Sequence, residues 1–198
     1  MLTLRHNMRG FSLIELIVGM LVLAILVSVG APSFMTWIQN SQLRTAAESI
    51  SAGVQLARAE AVRRNTAVRF QLTSNIDATC VLSTTGNNWV VSMDNPTGLC
   101  NNNATADDAA PVAPRIIQKH SGAEGTSKAV VNADISTVSF TGLGRASNAM
   151  TIQITNPTGG TCQNVGGPMR CLNVMVSAGG QILMCNPAFV RSANPQGC

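Results

Sequence analysis

Glu15 is the residue whose chemistry most needs an explanation in this sequence. It lies near the start of an apolar run that extends to about Ile38, and the next charged residue is Arg44. A carboxylate inside an apolar helix costs about 2.5–3.5 kcal/mol at the centre of a bilayer. Such a residue is usually functional and has a partner. Two basic residues, Arg5 and Arg9, precede it in a short leader.

Cysteine is the second residue type with chemistry to offer. An even number of cysteines in an exported domain predicts disulfides, here three. A zinc site is a poor alternative, because no CxxC pair is present and the sequence has two histidines, His6 and His120. Six cysteines allow fifteen pairings. We favour sequence neighbours, each closing a loop rich in Asn, Gly or Pro: Cys80–Cys100, Cys162–Cys171 and Cys185–Cys198.

No set of residues predicts catalysis. The adjacent acids Asp107 and Asp108 lie in a loop rich in Ala and Asn, where we expect solvent to surround them. His120 has no metal-ligand neighbours in sequence and is expected at the surface. The segment 142–145, Gly-Leu-Gly-Arg, lacks the strand–GxGxxG–helix context of a nucleotide site. We therefore predict no enzyme, no metal and no cofactor.

The bulk composition points to an exported domain. Charged residues make up 11% of the 198 residues and aromatic residues 4%. Without Arg5 and Arg9 the chain keeps 11 basic and 9 acidic residues, so the net charge falls from +4 to +2. That charge is too small to predict nucleic-acid binding by itself.

The apolar run is long enough to cross a membrane. As a helix, residues 16–38 would span about 35 Å, against a hydrocarbon core of about 30 Å. Arg5 and Arg9 would keep the N-terminus cytoplasmic. A secretory signal peptide cleaved near residues 30–33 and a plain signal anchor are the alternatives, and Glu15 would be unusual in the first.

Hydrophobic periodicity predicts an α+β fold. A continuous helix is expected over 11–65, with a kink at Pro32. Its second half has an apolar stripe that would pack on a sheet and a charged face, from Arg44 to Arg64, that would face solvent. Short strands are expected afterwards, forming an antiparallel sheet or a small β-sandwich: 67–72, 87–93, 115–119, 130–132, 136–141, 150–155, 172–177 and 181–185.

The N-terminal motif resembles that of type IV pilins and type II secretion pseudopilins. Gly10, Phe11 and Glu15 stand in the expected places, between a basic leader and an apolar helix. The resemblance implies that a prepilin peptidase cleaves between Gly10 and Phe11 and N-methylates Phe11. It also implies that Glu15 pairs with the Phe11 amine of a neighbouring subunit in a filament.

The later sequence is similar to the GspH/FimT class. The similarity involves residues 57–65, a Trp strand, and Phe-Thr-Gly-Leu-Gly-Arg at 140–145; the segment 184–198 looks most like FimU-type minor pilins. The implied organisation is a leader (1–10), a membrane and filament-core helix (11–40) and a globular domain (41–198). The globular domain would contain an amphipathic helix half (41–65) and a β-rich part (66–198).

The resemblance implies a structural subunit with three possible roles. A minor pilin would help to prime the pilus tip, promoting adhesion and twitching, and would contact other minor pilins and the major pilin. A pseudopilin would act in type II secretion. A DNA-binding minor pilin is a weaker alternative, because residues 186–198 contain one basic residue, Arg191. The subunit would wait in the inner membrane and then enter a filament in the periplasm or at the cell surface.

Overall fold

The computed structural model describes residues 12–102, 107, 112–124 and 126–198. Gly10, Phe11 and the rest of the expected leader lie outside the described residues. The chain divides into two compact units between Trp37 and Ile38. We call residues 12–37 the stalk and residues 38–198 the head.

One long helix runs through both units. Helix α1 extends from Leu13 to Arg64, close to the predicted 11–65. The next residue, Asn65, has a left-handed backbone (φ 49°) and terminates the helix. The Asn65 N–H bonds to Val62 O and the Thr66 N–H bonds to Ala61 O, each at 3.2 Å. These two bonds form a Schellman cap, which satisfies carbonyls left over at the end of a helix.

The described part of the head contains eight strands in two antiparallel sheets, which confirms the predicted α+β fold. Their bounds are β1 Val68–Thr73, β2 Asn88–Ser92, β3 Ile116–His120, β4 Val130–Ala133, β5 Thr137–Phe140, β6 Met150–Thr155, β7 Leu172–Val176 and β8 Ile182–Cys185. The first sheet has the order β3-β2-β1-β5 and the second has the order β4-β6-β7-β8. A 3₁₀ turn, Gln163–Val165, precedes β7.

The second half of α1 packs into a core shared with both sheets. The stripe predicted from periodicity is the buried one, and each member is at most 2% exposed: Leu43, Ala46, Ala47, Ile50, Val54, Ala57 and Ala61. Gly53 lets the helix approach the first sheet closely. A Cβ at that position would lie 2.9 Å from Phe70 Cε2 and 3.1 Å from two ring atoms of Trp89.

A smaller cluster covers the opposite face of the first sheet. It contains Cys80, Val90, Cys100 and Ile116, all at most 5% exposed. Val90 points into this cluster while its neighbours in β2, Trp89 and Val91, point into the main core. The alternation of side chains along a strand therefore buries β2 on both faces.

Candidate functional site

The stalk presents an apolar surface that the chain itself does not cover. Every large apolar side chain reported between Leu13 and Trp37 is 47–79% exposed. Monomeric soluble proteins rarely expose an apolar surface of this extent, and such surfaces mark contacts with membranes or other proteins. Within the described residues, no single helix is long and apolar enough to span a membrane. Two parts of α1, Leu13–Ser28 and Ser33–Arg64, are bent by 41° relative to each other. Taken together, they have the length and composition of a membrane span.

Ser12 begins this helix. The Glu15 N–H donates to Ser12 Oγ at 3.2 Å, and the Leu16 N–H donates to Ser12 O. Ser12 is therefore the N-cap, and Glu15 is the third residue of the first turn. The spacing Ser-x-x-Glu is that of a capping box, a signal that is present in the sequence itself. An acid in the first turn also interacts favourably with the positive end of the helix dipole.

Glu15 itself has no basic partner in the described part of the chain. Its side chain is exposed on the stalk, among apolar neighbours. Capping explains why an acid is favourable in the first turn. It supplies no cation to pair with the carboxylate, so pairing with the Phe11 amine of a neighbour stays a prediction. The kink at Pro32, whose side chain is not described, also stays a prediction.

The head holds the six cysteines in three disulfides. The pairs are Cys80–Cys100, Cys162–Cys171 and Cys185–Cys198, the sequence neighbours that we favoured. None of the six is free. The first pair lies in the small cluster beneath the first sheet, where both sulfurs are fully buried with their residues. Cys162–Cys171 closes the loop before β7, and Cys185–Cys198 holds the tail against the end of β8.

The acids and histidine considered for catalysis have structural contacts. Asp107 is 68% exposed and pairs with Arg64 Nη2 at 2.8 Å; Asp108 lies outside the described residues. His120 is partly buried rather than fully at the surface, and its ring stacks on Trp89 at a centroid distance of 5.4 Å. In the described ranges, no group of three or more His, Cys, Asp or Glu residues is placed to hold a metal.

The charged face of α1 is largely exposed, as predicted, and Arg64 at its end is the exception. Arg44 is exposed and pairs with Glu48 at 2.7 Å. Arg64 is 13% exposed; its Nε donates to Glu60 Oε2 at 2.8 Å, and its Nη2 forms an ion pair with Asp107 Oδ1 at 2.8 Å. Arg58 donates from Nε to the Gly144 carbonyl oxygen at 3.2 Å and so contacts the 142–145 turn.

One ion pair outside the helix strongly lowers the pKa of a carboxyl group. Arg115 contacts Asp94 through its backbone N–H, its Nε and its Nη2, at 2.8–2.9 Å. The side-chain hydrogen bond from Arg115 lowers the pKa of Asp94 to about 2, although partial burial opposes the shift. This pair joins the residues after β2 to those before β3 and is structural in character.

Two family descriptions match the chain. "Prokaryotic N-terminal methylation motif" matches residues 5–31, which include Gly10, Phe11 and Glu15. "Type II transport protein GspH" matches residues 46–180, more than half of the chain. The chain belongs to the GspH family of minor pilins and pseudopilins. This family is one of structural subunits, and its N-methylation motif implies interaction with a prepilin peptidase and with other pilins.

Two crystal forms of the type IV minor pilin FimU from Pseudomonas aeruginosa are similar to this member of the GspH family. The P21 form has 22% identity and a TM-score of 0.48, covering 75% of this chain and 91% of the FimU chain. The P65 form has 21% identity and a TM-score of 0.46, covering 71% and 90%. No curated protein matches the sequence.

Proposed function

We propose that this chain is a minor type IV pilin that helps to prime assembly at the pilus tip. Its stalk would sit in the inner membrane before assembly and in the filament core afterwards. In either place the apolar side chains from Leu13 to Trp37 would be covered by lipid or by other subunits. Pairing of Glu15 with the Phe11 amine of a neighbour would set the register of the stalks.

The observation that carries the choice of a pilus is the state of the cysteines. All six are paired, in three short-range disulfides that secure the loops and the tail of the head. Disulfides form and persist in oxidising compartments, which include the periplasm as well as the cell surface, and three of them are of most use to a domain exposed outside the cell. In the chain-entropy model, each loop closed here contributes about 2–4 kcal/mol. A head stabilised in this way suits a filament that extends beyond the periplasm.

The second candidate is a minor pseudopilin of type II secretion. The description of the matching family, which names type II transport, favours it. The same stalk, processing site and head would serve a periplasmic pseudopilus. The two candidates differ in which filament contains the subunit and in which cellular process stops without it.

A deletion strain with complementation separates the two candidates. If the proposal is right, sheared surface filaments and twitching decrease while exoprotein secretion continues. Loss of secretion with normal piliation would support the pseudopilin instead. Mass spectrometry of the protein recovered from filaments should find N-methylated Phe11 at its N-terminus. A different N-terminus would refute the processing step on which both candidates depend.

Replacement of Gly10 tests the cleavage directly. Gly10→Val should block cleavage between Gly10 and Phe11, because prepilin peptidases cleave after a glycine. The precursor would then migrate more slowly than the mature wild-type chain on a denaturing gel. Met8→Val, a change within the same leader, is the matched control and should be processed normally. Normal migration of the Gly10 variant would contradict the assignment of the site.

A further inference from the structure

The outer edge of β8 is an open sheet edge. In an antiparallel ladder, successive residues direct their backbone N–H and C=O groups to opposite sides. The Ser177 N–H bonds to Gln181 O, so the residues paired with β7 by hydrogen bonds include Leu183 and Cys185. The backbone groups of Ile182 and Met184 therefore point away from β7. No described residue hydrogen-bonds to them there.

Two other sheet edges are covered by the chain itself. The Ser147 N–H bonds to Ser139 O and covers β5. At the β4 edge, the Gly86 N–H bonds to Val131 O and the Ala133 N–H bonds to Thr84 O. Natural proteins usually cover or disrupt such edges, because an open edge accepts another strand.

The tail covers only the end of the β8 edge. The Asn186 N–H bonds to Gln196 O at 2.7 Å, and Asn186 forms an isolated parallel bridge with Gly197. The pairing stops there and leaves Ile182–Met184 uncovered. The β8 edge of this head is thus open over a length that a short extended segment could pair with.

A polar cleft adjoins the open edge. It has a volume of about 460 Å³ and is lined by Gln55 and Arg58 of α1 and by Gly179, Gln181 and Ile182. The turn before β8 lies against the 142–145 turn. The approach is so close that a Cβ on Gly180 would overlap the Gly144 carbonyl oxygen and lie 3.5 Å from Arg145 Cα. The cleft is therefore bordered by a helix, a turn and a strand edge.

The cleft carries positive charge that the head does not neutralise. Of the helix arginines, Arg44 pairs with Glu48, and both Arg63 and Arg64 pair with Glu60. Arg58 bonds to a neutral carbonyl. Within the described residues, neither Arg58 nor the nearby Arg145 has a carboxylate partner. A ligand that brought a carboxylate to the cleft would complete the pattern seen along the rest of α1.

We propose that the β8 edge and this cleft bind an extended acidic segment of another subunit in the same filament. The segment would add as a strand beside Ile182–Met184, and its carboxylate would contact Arg58. The inference rests on the proposed function, because filament assembly holds neighbouring heads at high effective concentration. Backbone hydrogen bonds would provide affinity, and the charge would favour an acidic segment over others.

Site-specific photo-crosslinking in the intact filament tests this contact. A photoreactive phenylalanine analogue replaces Met184 in the full-length chain, and in a matched control it replaces Val130, which is exposed on the covered β4 edge. After irradiation, sheared filaments are analysed by mass spectrometry. We expect adducts with an acidic segment of another subunit from position 184, at least about tenfold above those from position 130.

Two variant pairs identify the forces involved. Arg58→Glu should reduce the adduct from position 184 about tenfold, whereas Arg58→Lys should keep it, since charge is retained. Met184→Pro removes an outward N–H without removing a β7–β8 hydrogen bond, because edge strands tolerate proline there. It should lower incorporation into filaments, whereas Met184→Ala should not. Unchanged thermal unfolding midpoints would show that the heads remain folded.

The outcomes are distinguishable from failure of the proposed function. If methylated subunits enter filaments but positions 184 and 130 give equal adducts, the β8 site is wrong and the function stands. Adducts that nuclease removes would assign the cleft to nucleic acid and overturn the proposal. If the subunit never enters a filament of either kind, the proposed function and this inference both fail.

Discussion

The two halves of α1 differ both in apolar content and in surroundings. From Leu13 to Trp37, apolar residues occupy all sides of the helix, and the large ones are exposed. From Ile38 to Arg64, they form one stripe that is buried against two sheets. The distribution of apolar residues around the helix, together with their number, thus indicates where a helix finds its partner. A stripe fits the sheets of the same chain, whereas apolar residues on every side require lipid or several other helices.

Glycine illustrates the same contrast. Both halves of the helix contain glycine, which lowers helix stability by about 1 kcal/mol relative to alanine. At Gly53 the lost stability has a packing reason, because two aromatic rings occupy the space of a Cβ. At Gly19 nothing lies within 4 Å of that position. Gly19 therefore has no packing reason within the isolated subunit, and the same holds for Gly30, the other glycine of the stalk.

The largest effect is expected from Glu15. Glu15→Val should lower filament incorporation at least about tenfold, because it leaves a neighbour's amine without its carboxylate at a cost of about 2–3 kcal/mol. Immunoblots of sheared filaments measure the effect, and the unfolding midpoint of the head should not change.

Glu15→Gln separates assembly from capping. Glutamine can still serve at the third position of a capping box, but it has no charge. If the pairing is correct, Gln should impair incorporation nearly as much as Val. Normal incorporation of Glu15→Gln would show that capping suffices and would remove the ion pair from the explanation.

Replacement of Gly53 and of Gly19 by alanine should change the stability of the head to different extents. Gly53→Ala should lower the free energy of unfolding of the head by about 1–3 kcal/mol, because Phe70 and Trp89 must move to admit the methyl group. Gly19→Ala, the matched control, should leave it unchanged. Urea unfolding of the full chain in micelles, followed by tryptophan fluorescence, measures both. Equal stability of the two variants would mean that the helix and the first sheet are less tightly packed than described.

Acid should weaken the head through Asp94. The pKa of Asp94 is lowered to about 2 in the folded protein, from an ordinary value of 3.8, mainly by the Arg115 hydrogen bond. Its contribution is therefore complete above about pH 5 and is lost as the pH falls through 4 toward 2. We expect about 1–2 kcal/mol, allowing for its partial exposure.

Unfolding measured across this pH range checks the expectation. Asp94→Asn should lower stability at pH 6 and should abolish this part of the acid dependence. An unchanged pH profile in that variant would assign the acid sensitivity to other groups.

The smallest effect should be confined to the start of the stalk. Ser12→Ala removes the acceptor of the Glu15 N–H and should destabilise the first turn by about 1 kcal/mol. Amide hydrogen exchange at Glu15 and Leu16 in micelles should accelerate about fivefold. Ser28→Ala is the control, because Ser28 Oγ donates to the Ile25 carbonyl and caps no N–H. Equal exchange in both variants would contradict a role for Ser12 as the cap.

Much of the fold could be predicted because local patterns determine it. The period of the apolar stripe identified the buried helix positions, and short apolar runs located the eight strands of the described residues, with β6 predicted at its observed bounds. Disulfides between sequence neighbours required no knowledge of the tertiary fold. What local patterns do not contain is the pairing order of strands, so a single sheet and a sandwich remained alternatives until two sheets were observed.

The misses have separate physical causes. The Ser12 cap had a signal in the sequence, the Ser-x-x-Glu spacing, but this spacing lies at the start of an apolar run that by itself already predicts a helix. The low exposure of Arg64 had no signal in the sequence, because its partner Asp107 lies in a distant loop. The contact between Arg58 and Gly144 likewise joins residues 86 positions apart. Contacts of this kind depend on the assembled tertiary structure.

The placement of the disulfides has a mechanical consequence. Each joins two nearby parts of the β-rich region, and none involves α1, which contains no cysteine. When a filament under tension pulls on the helix, no covalent crosslink other than the chain itself resists its separation from the sheets. The load is borne by the interlocked aliphatic and aromatic groups of the core. Force applied along the helix would therefore separate it from the sheets before it could break any sulfur–sulfur bond.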